Sequence, residues 1–199
     1  MIYRMALILP LGLMLLLLAA CGNTPTLGSG AAPTATPMGE MAGMEHDMSK
    51  MTGDEPYDAL FIDSMIIHHQ GAIEMANQAL TEATQPEIKT LAEAIIKAQE
   101  AEIAQMQEWR ESWYPDLAPT AGMGMDMGTM EIDSDTGKPF DQRFIEAMIP
   151  HHEGAIAMAK DAQQKAEREE IKNLSSEIIA AQEAEIIQMQ QWLQDWYGQ

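Results

Sequence analysis

Two adjacent histidines, His68 and His69, stand inside the run Phe61-Ile-Asp-Ser-Met-Ile-Ile-His-His-Gln-Gly-Ala-Ile-Glu-Met-Ala76, with Met65 before them and Met75 after. The arrangement returns as Met148, His151, His152 and Met158. Imidazole nitrogen and thioether sulfur are both metal donors, and sulfur of this kind favours a soft ion. Downstream of each pair, Gln99 and Glu102, then Gln182 and Glu185, interrupt otherwise apolar spacing. No CxxC and no HExxH is present, so structural zinc and zinc-protease chemistry lack their signatures. A di-iron carboxylate site would need Glu three residues before His, where this chain has Met65 and Met148.

The elements that must hold these residues are helices. At 100° per residue, Met65, His68, His69, Ala72 and Met75 fall within about 120°, the width of a core-facing stripe. A second stripe runs through Ile88, Leu91, Ile95, Gln99, Glu102, Met106, Trp109 and Trp113. Pro86 suits the first turn of that helix, with Thr84 as its expected cap. A turn near residue 84 sets Gln99 and Glu102 at the height of His68 and His69, and one near 167 does the same for Gln182 and Glu185 against His151 and His152.

The two segments are copies. Residues 58–114 and 141–197 align without a gap and are identical at 32 of 57 positions, which establishes a duplication. One hairpin cannot cover its own apolar stripes, so the two are expected to pack as an all-α, antiparallel four-helix bundle. The expected divisions are 54–115 and 140–199 for the hairpins and 116–139 for a Met- and Gly-rich linker. Pro150 replaces Ile67 of the first copy and is expected to bend its helix just before His151.

Composition narrows the function. The chain has 199 residues and a formal charge of −20, which excludes a nucleic-acid partner on electrostatic grounds. A single cysteine excludes an internal disulfide. Residues 1–20 carry Arg4 and then a short apolar run, the pattern of a secretory signal. Leu18-Ala19-Ala20-Cys21 resembles the lipobox of bacterial lipoproteins, which implies cleavage before Cys21 and a lipid anchor on it. The rest of the chain is then extracytoplasmic and held at a membrane. Residues 21–53 read as a disordered tether.

Buried imidazoles and carboxylates must either hydrogen-bond one another, fixing the register of a metal-free bundle, or hold an ion. Retention of the pairs and their methionines in both copies favours the ion, and imidazole with thioether suits copper, as Cu(I), Cu(II) or both. Glu102 and Glu185, with Gln99 and Gln182, are expected to orient the imidazoles rather than bind directly. The tether places Met38, Met41, Met44, His46, Met48 and Met51 close together, and the linker places Met123, Met125, Met127 and Met130. Where no core exists to fill, such thioethers on mobile backbone serve as collectors of a soft cation. A sticky methionine surface for a protein partner is the other reading.

Over both hairpins the chain resembles the family catalogued as domain of unknown function 305. The resemblance rests on Phe-x-x-x-Met-x-x-His-His-x-x-Ala-x-x-Met-Ala followed by Gln-x-x-Glu-Ile-x-x-Met-x-x-Trp. It implies a ferritin-like fold, an extracytoplasmic location and, from characterised relatives, copper binding and copper tolerance. By position it also implies that Met65, His68, His69 and Met75, and Met148, His151, His152 and Met158, are the metal-associated residues. Glu74 of the first copy is Ala157 in the second, so the two sites need not be equivalent. The expectation is a lipid-anchored, non-enzymatic copper-binding protein that captures or buffers the ion, with a copper-handling protein partner and the oligomeric state left open. The alternative is a metal-free helical scaffold that binds a partner.

Overall fold

The computed structural model describes residues 55–120, 122–134 and 137–199. The expected signal, Cys21 and the tether methionines with His46 lie outside the described residues. Four helices follow in order: α1 Tyr57–Glu82, α2 Pro86–Trp113, α3 Phe140–Lys165 and α4 Glu169–Tyr197. Helices α1 and α2 form one hairpin, α3 and α4 the other, and α1 packs on α3. At 26 to 29 residues, each helix runs roughly 40 Å. Among the described residues no helix is long and apolar enough to cross a membrane. The helix α3 continues through Pro150, and α4 ends on Gly198, whose φ of 70° lets Gly198 and Gln199 bond back to Gln194 and Leu193.

The core divides into two apolar clusters that report the topology. One joins the second half of α1 (Ala72, Met75, Ala76) to the first halves of α2 and α3 (Ile88, Phe144) and the end of α4 (Met189). The other joins the start of α1 (Phe61, Ile62, Met65) to Met106 of α2, Met158 and Ala159 of α3, and Ile171 and Ile178 of α4. Helices α1 and α3 are therefore antiparallel, and the connection between hairpins must travel the length of the bundle, as in ferritin-like folds.

Each hairpin's turn is held by the other hairpin. Asp141, at the start of α3, accepts from the backbone N–H of Thr84 at 3.0 Å and of Gln85 at 3.3 Å, and from the Thr84 hydroxyl. Asp58, at the start of α1, accepts from the N–H of Glu167 at 3.0 Å and of Arg168 at 3.2 Å. Thr84 is thus not the cap of α2: its hydroxyl is spent on Asp141, and the residue preceding α2, Gln85, makes no side-chain cap bond. A buried carboxylate from the neighbouring hairpin outcompetes the local hydroxyl, because a charged acceptor makes the stronger bonds.

The connection between hairpins also departs from the expectation of methionines on mobile backbone. Arg110 pins its start, donating to Asp63 at 2.9 Å and to the carbonyls of Tyr114 and Leu117. The chain then climbs α1: Thr120 N–H bonds Asp63, Met123 N–H bonds Ser64 Oγ at 2.8 Å, and the Met127 carbonyl meets His68. Met123 and Met125 pack against the cluster of Phe61 and Met65, and Ile132 is buried in the other cluster. Small residues on α1 and α3 leave a groove that the crossover occupies, so its methionines do have apolar surface to cover.

Candidate metal centre

All four paired histidines are 0 % exposed, and they lie between the two apolar clusters, in one layer at mid-bundle. The 100° step between neighbours on a helix sends the two rings of each pair to different partners. His69 points toward α2, with Nε2 2.6 Å from Glu102 Oε2; His152 points toward α4, with Nε2 2.7 Å from Glu185 Oε2. His68 and His151 meet each other between α1 and α3, their ring centroids 3.8 Å apart. His68 Nε2 donates to the Met127 carbonyl of the crossover at 3.0 Å. The two carboxylates therefore orient the outer imidazoles, each from the helix and the level that the hairpin arithmetic gives.

These bonds set the tautomers. With Nε2–H given to a carboxylate or carbonyl, the remaining ring nitrogen of His68, His69 and His152 is Nδ1, which carries the lone pair in a neutral ring. Each of those Nδ1 atoms is buried without a partner, as are both ring nitrogens of His151 and the Oε1 atoms of Gln99 and Gln182. Only one further buried side-chain polar atom among the described residues, Ser175 Oγ, shares that condition. Unsatisfied buried polar atoms are costly and rare, and here they are concentrated in one layer and are chiefly lone-pair donors. Such a set fits a cation.

Burial also keeps the inner rings neutral. It pushes the pKa of His68 from 6.5 down to about 4, helped by the neighbouring charge of His69. It pushes His151 down to about 2, with His68 as the next contributor. At neutral pH both rings hold a free electron pair, the form a metal requires.

The flanking methionines stand in the two apolar clusters. Met65 and Met158 lie in one apolar cluster and Met75 and Met148 in the other, so the inner helices place one thioether each on either side of the histidine layer. Met106 and Met189 are fully buried among apolar side chains. Met130 of the crossover reaches the same place beside Gly71 as the His151 ring, with its methyl Cε 2.5 Å from the position of a Cβ there. Met130 Sδ and His151 Nε2 lie 3.3 and 3.4 Å from the single point a Cβ on Gly71 would occupy. Met127 is held at the layer through its backbone. Among the described residues no three His, Cys, Asp or Glu converge on one point, so a metal held here must draw on sulfur or carbonyl oxygen as well.

Sequence reasoning passed over the glycines that admit the crossover. Gly71 and Gly154 occupy the same place in both copies, two residues after each histidine pair. A Cβ on Gly154 would come within 2.7 Å of the backbone carbon and oxygen of Met127. Gly128 has a φ of 71°, and a Cβ there would strike the Pro150 carbonyl. The available signal was a mid-helix glycine in each copy, which costs about 1 kcal/mol in helix propensity and needs a reason. Gly154→Ala is accordingly expected to destabilise by about 1–2 kcal/mol: displaced backbone outweighs the propensity gain. Urea denaturation checks this, and a stabilised variant would show that the crossover does not seat on Gly154.

The description "domain of unknown function (DUF305)" belongs to the family model that matches residues 12–110 and 58–193. The chain belongs to the DUF305 family. Among solved structures it is similar to CopM in the Cu(I)-bound form, at 44 % identity over 71 % of this chain and 98 % of that one, with a TM-score of 0.61. CopM in the Cu(II)-bound form matches at 43 % identity over 70 % and 98 %, TM-score 0.61. A DUF305 protein from Streptomyces coelicolor matches at 28 % identity over 70 % and 93 %, TM-score 0.62. No curated protein matches the sequence. The four-helix architecture is therefore the one that the DUF305 family shares.

Proposed function

We propose that this chain is an extracytoplasmic, lipid-anchored protein that captures and buffers copper, with binding rather than catalysis as its work. One observation carries the reading: four fully buried imidazoles in a single layer, with their unpartnered nitrogens concentrated there. Likeness to CopM, solved with Cu(I) and with Cu(II), supports copper as the ion. The His pairs are the principal ligands, and Met65, Met75, Met148 and Met158 offer soft sulfur from above and below. The tether methionines and His46 act as weaker collectors, and a charge of −20 raises the local cation concentration. The leader and Cys21 supply export and anchoring.

The test is Cu(I) competition titration of a fragment beginning after Cys21, beside a variant with His68, His69, His151 and His152 changed to alanine. The variant is expected to bind at least about 100-fold more weakly at its tightest site, and copper should raise the melting temperature of the parent alone. Equal binding by the two would remove the histidine layer from the function.

A further inference from the structure

Residues 127–130 of the crossover stand against the histidine layer, through the Met127 carbonyl at His68 and the Met130 side chain at Gly71. Resting on the copper reading above, we propose that Met130 is an intrinsic donor of the inner histidine site, its thioether completing with His151 Nε2 a nitrogen–sulfur pair for a soft monovalent cation beside the His68 ring.

Three observations meet at this point. His151 is 0 % exposed and neither of its ring nitrogens has a partner, whereas the equivalent His68 gives Nε2–H to the crossover. The Met130 methyl fills the space left by the missing side chain of Gly71, which brings Met130 Sδ and His151 Nε2 to 3.3 and 3.4 Å from the same point. The crossover is held at this level by a bond from His68, with Gly154 and Gly128 allowing its backbone against α3. Met130 lies outside the duplicated segments 58–114 and 141–197, so neither copy carries it. The inner site is therefore a property of the crossover and both hairpins together, and a soft sulfur there favours Cu(I) over harder divalent ions.

The experiment uses the fragment beginning after Cys21 with 13C-methyl methionine. Met130→Leu keeps the apolar volume and removes the sulfur; Met106→Leu, in the Phe61 cluster, is the control. On Cu(I) addition the Met130 methyl resonance is expected to shift among the earliest. Met130→Leu should weaken the tightest Cu(I) site about 10- to 100-fold and remove one sulfur neighbour from the copper X-ray absorption spectrum, with Met106→Leu unchanged. Binding that needs the histidines but is indifferent to Met130→Leu in affinity and sulfur count would overturn this proposal and leave the copper reading standing. Binding indifferent to the histidines would overturn both.

Discussion

Between pH 7 and pH 4 the metal-free protein is expected to lose about 5 kcal/mol of folding stability through its inner imidazoles. His68 and His151 are fully buried, and burial lowers their pKa values from 6.5 to about 4 and about 2. In the unfolded chain both rings take up a proton as pH falls through 6.5; in the folded chain neither does so before about 4. The unfolded state binds more protons across that window, so stability is full above pH 6.5 and falls as acid is added. The His68 share is lost by about pH 4, and the His151 share continues to fall toward about 2.

A tenfold difference in proton affinity between the folded and unfolded chain is worth about 1.4 kcal/mol, and two neighbouring rings give a total comparable with the whole stability of an ordinary domain. Urea denaturation at pH 7, 6, 5 and 4 measures it. The double variant His68→Leu/His151→Leu should show less than half the loss. An identical pH profile would assign acid sensitivity to the carboxylates. Copper should flatten the profile in the parent by holding the lone pairs that acid would otherwise claim.

The second large effect lies at the ends of the bundle. Asp58→Ala and Asp141→Ala should each destabilise by about 3 kcal/mol, because each removes a buried charged acceptor and strands two backbone N–H groups. The two carboxylates hold different turns, those at Thr84 and at Glu167, so the double variant should lose about 6 kcal/mol, close to additively. Asp→Asn retains one oxygen acceptor at each place and should cost markedly less. Thermal and urea unfolding decide this; losses below about 1 kcal/mol for either alanine variant would mean that the turns are held by the apolar clusters alone.

Much of the architecture was legible because helical period and duplication are local facts. Met65, His68, Ala72 and Met75 share a face by spacing, and the ungapped repeat transfers that face to Met148, His151, Ala155 and Met158. The pairing of His69 with Glu102 and His152 with Glu185 also followed, since the length of a hairpin's arms fixes what stands opposite what. The mutual capping by Asp58 and Asp141 did not follow. Both residues were visible as a matched pair, but their partners are 109 and 57 residues away, across the hairpin boundary.

Four helices, two duplicated halves and a layer of imidazoles whose outer members face carboxylates are thus written into the order of residues, because period and repeat spacing act within a single hairpin. Three outcomes wait on assembly of the bundle: His68 touches His151, Gly71 and Gly154 admit a crossing chain, and Met130 lies at the histidines rather than in solvent. Each depends on how α1 and α3 cross, and the small side chains that open the groove between them carry no directional signal until both helices are in place.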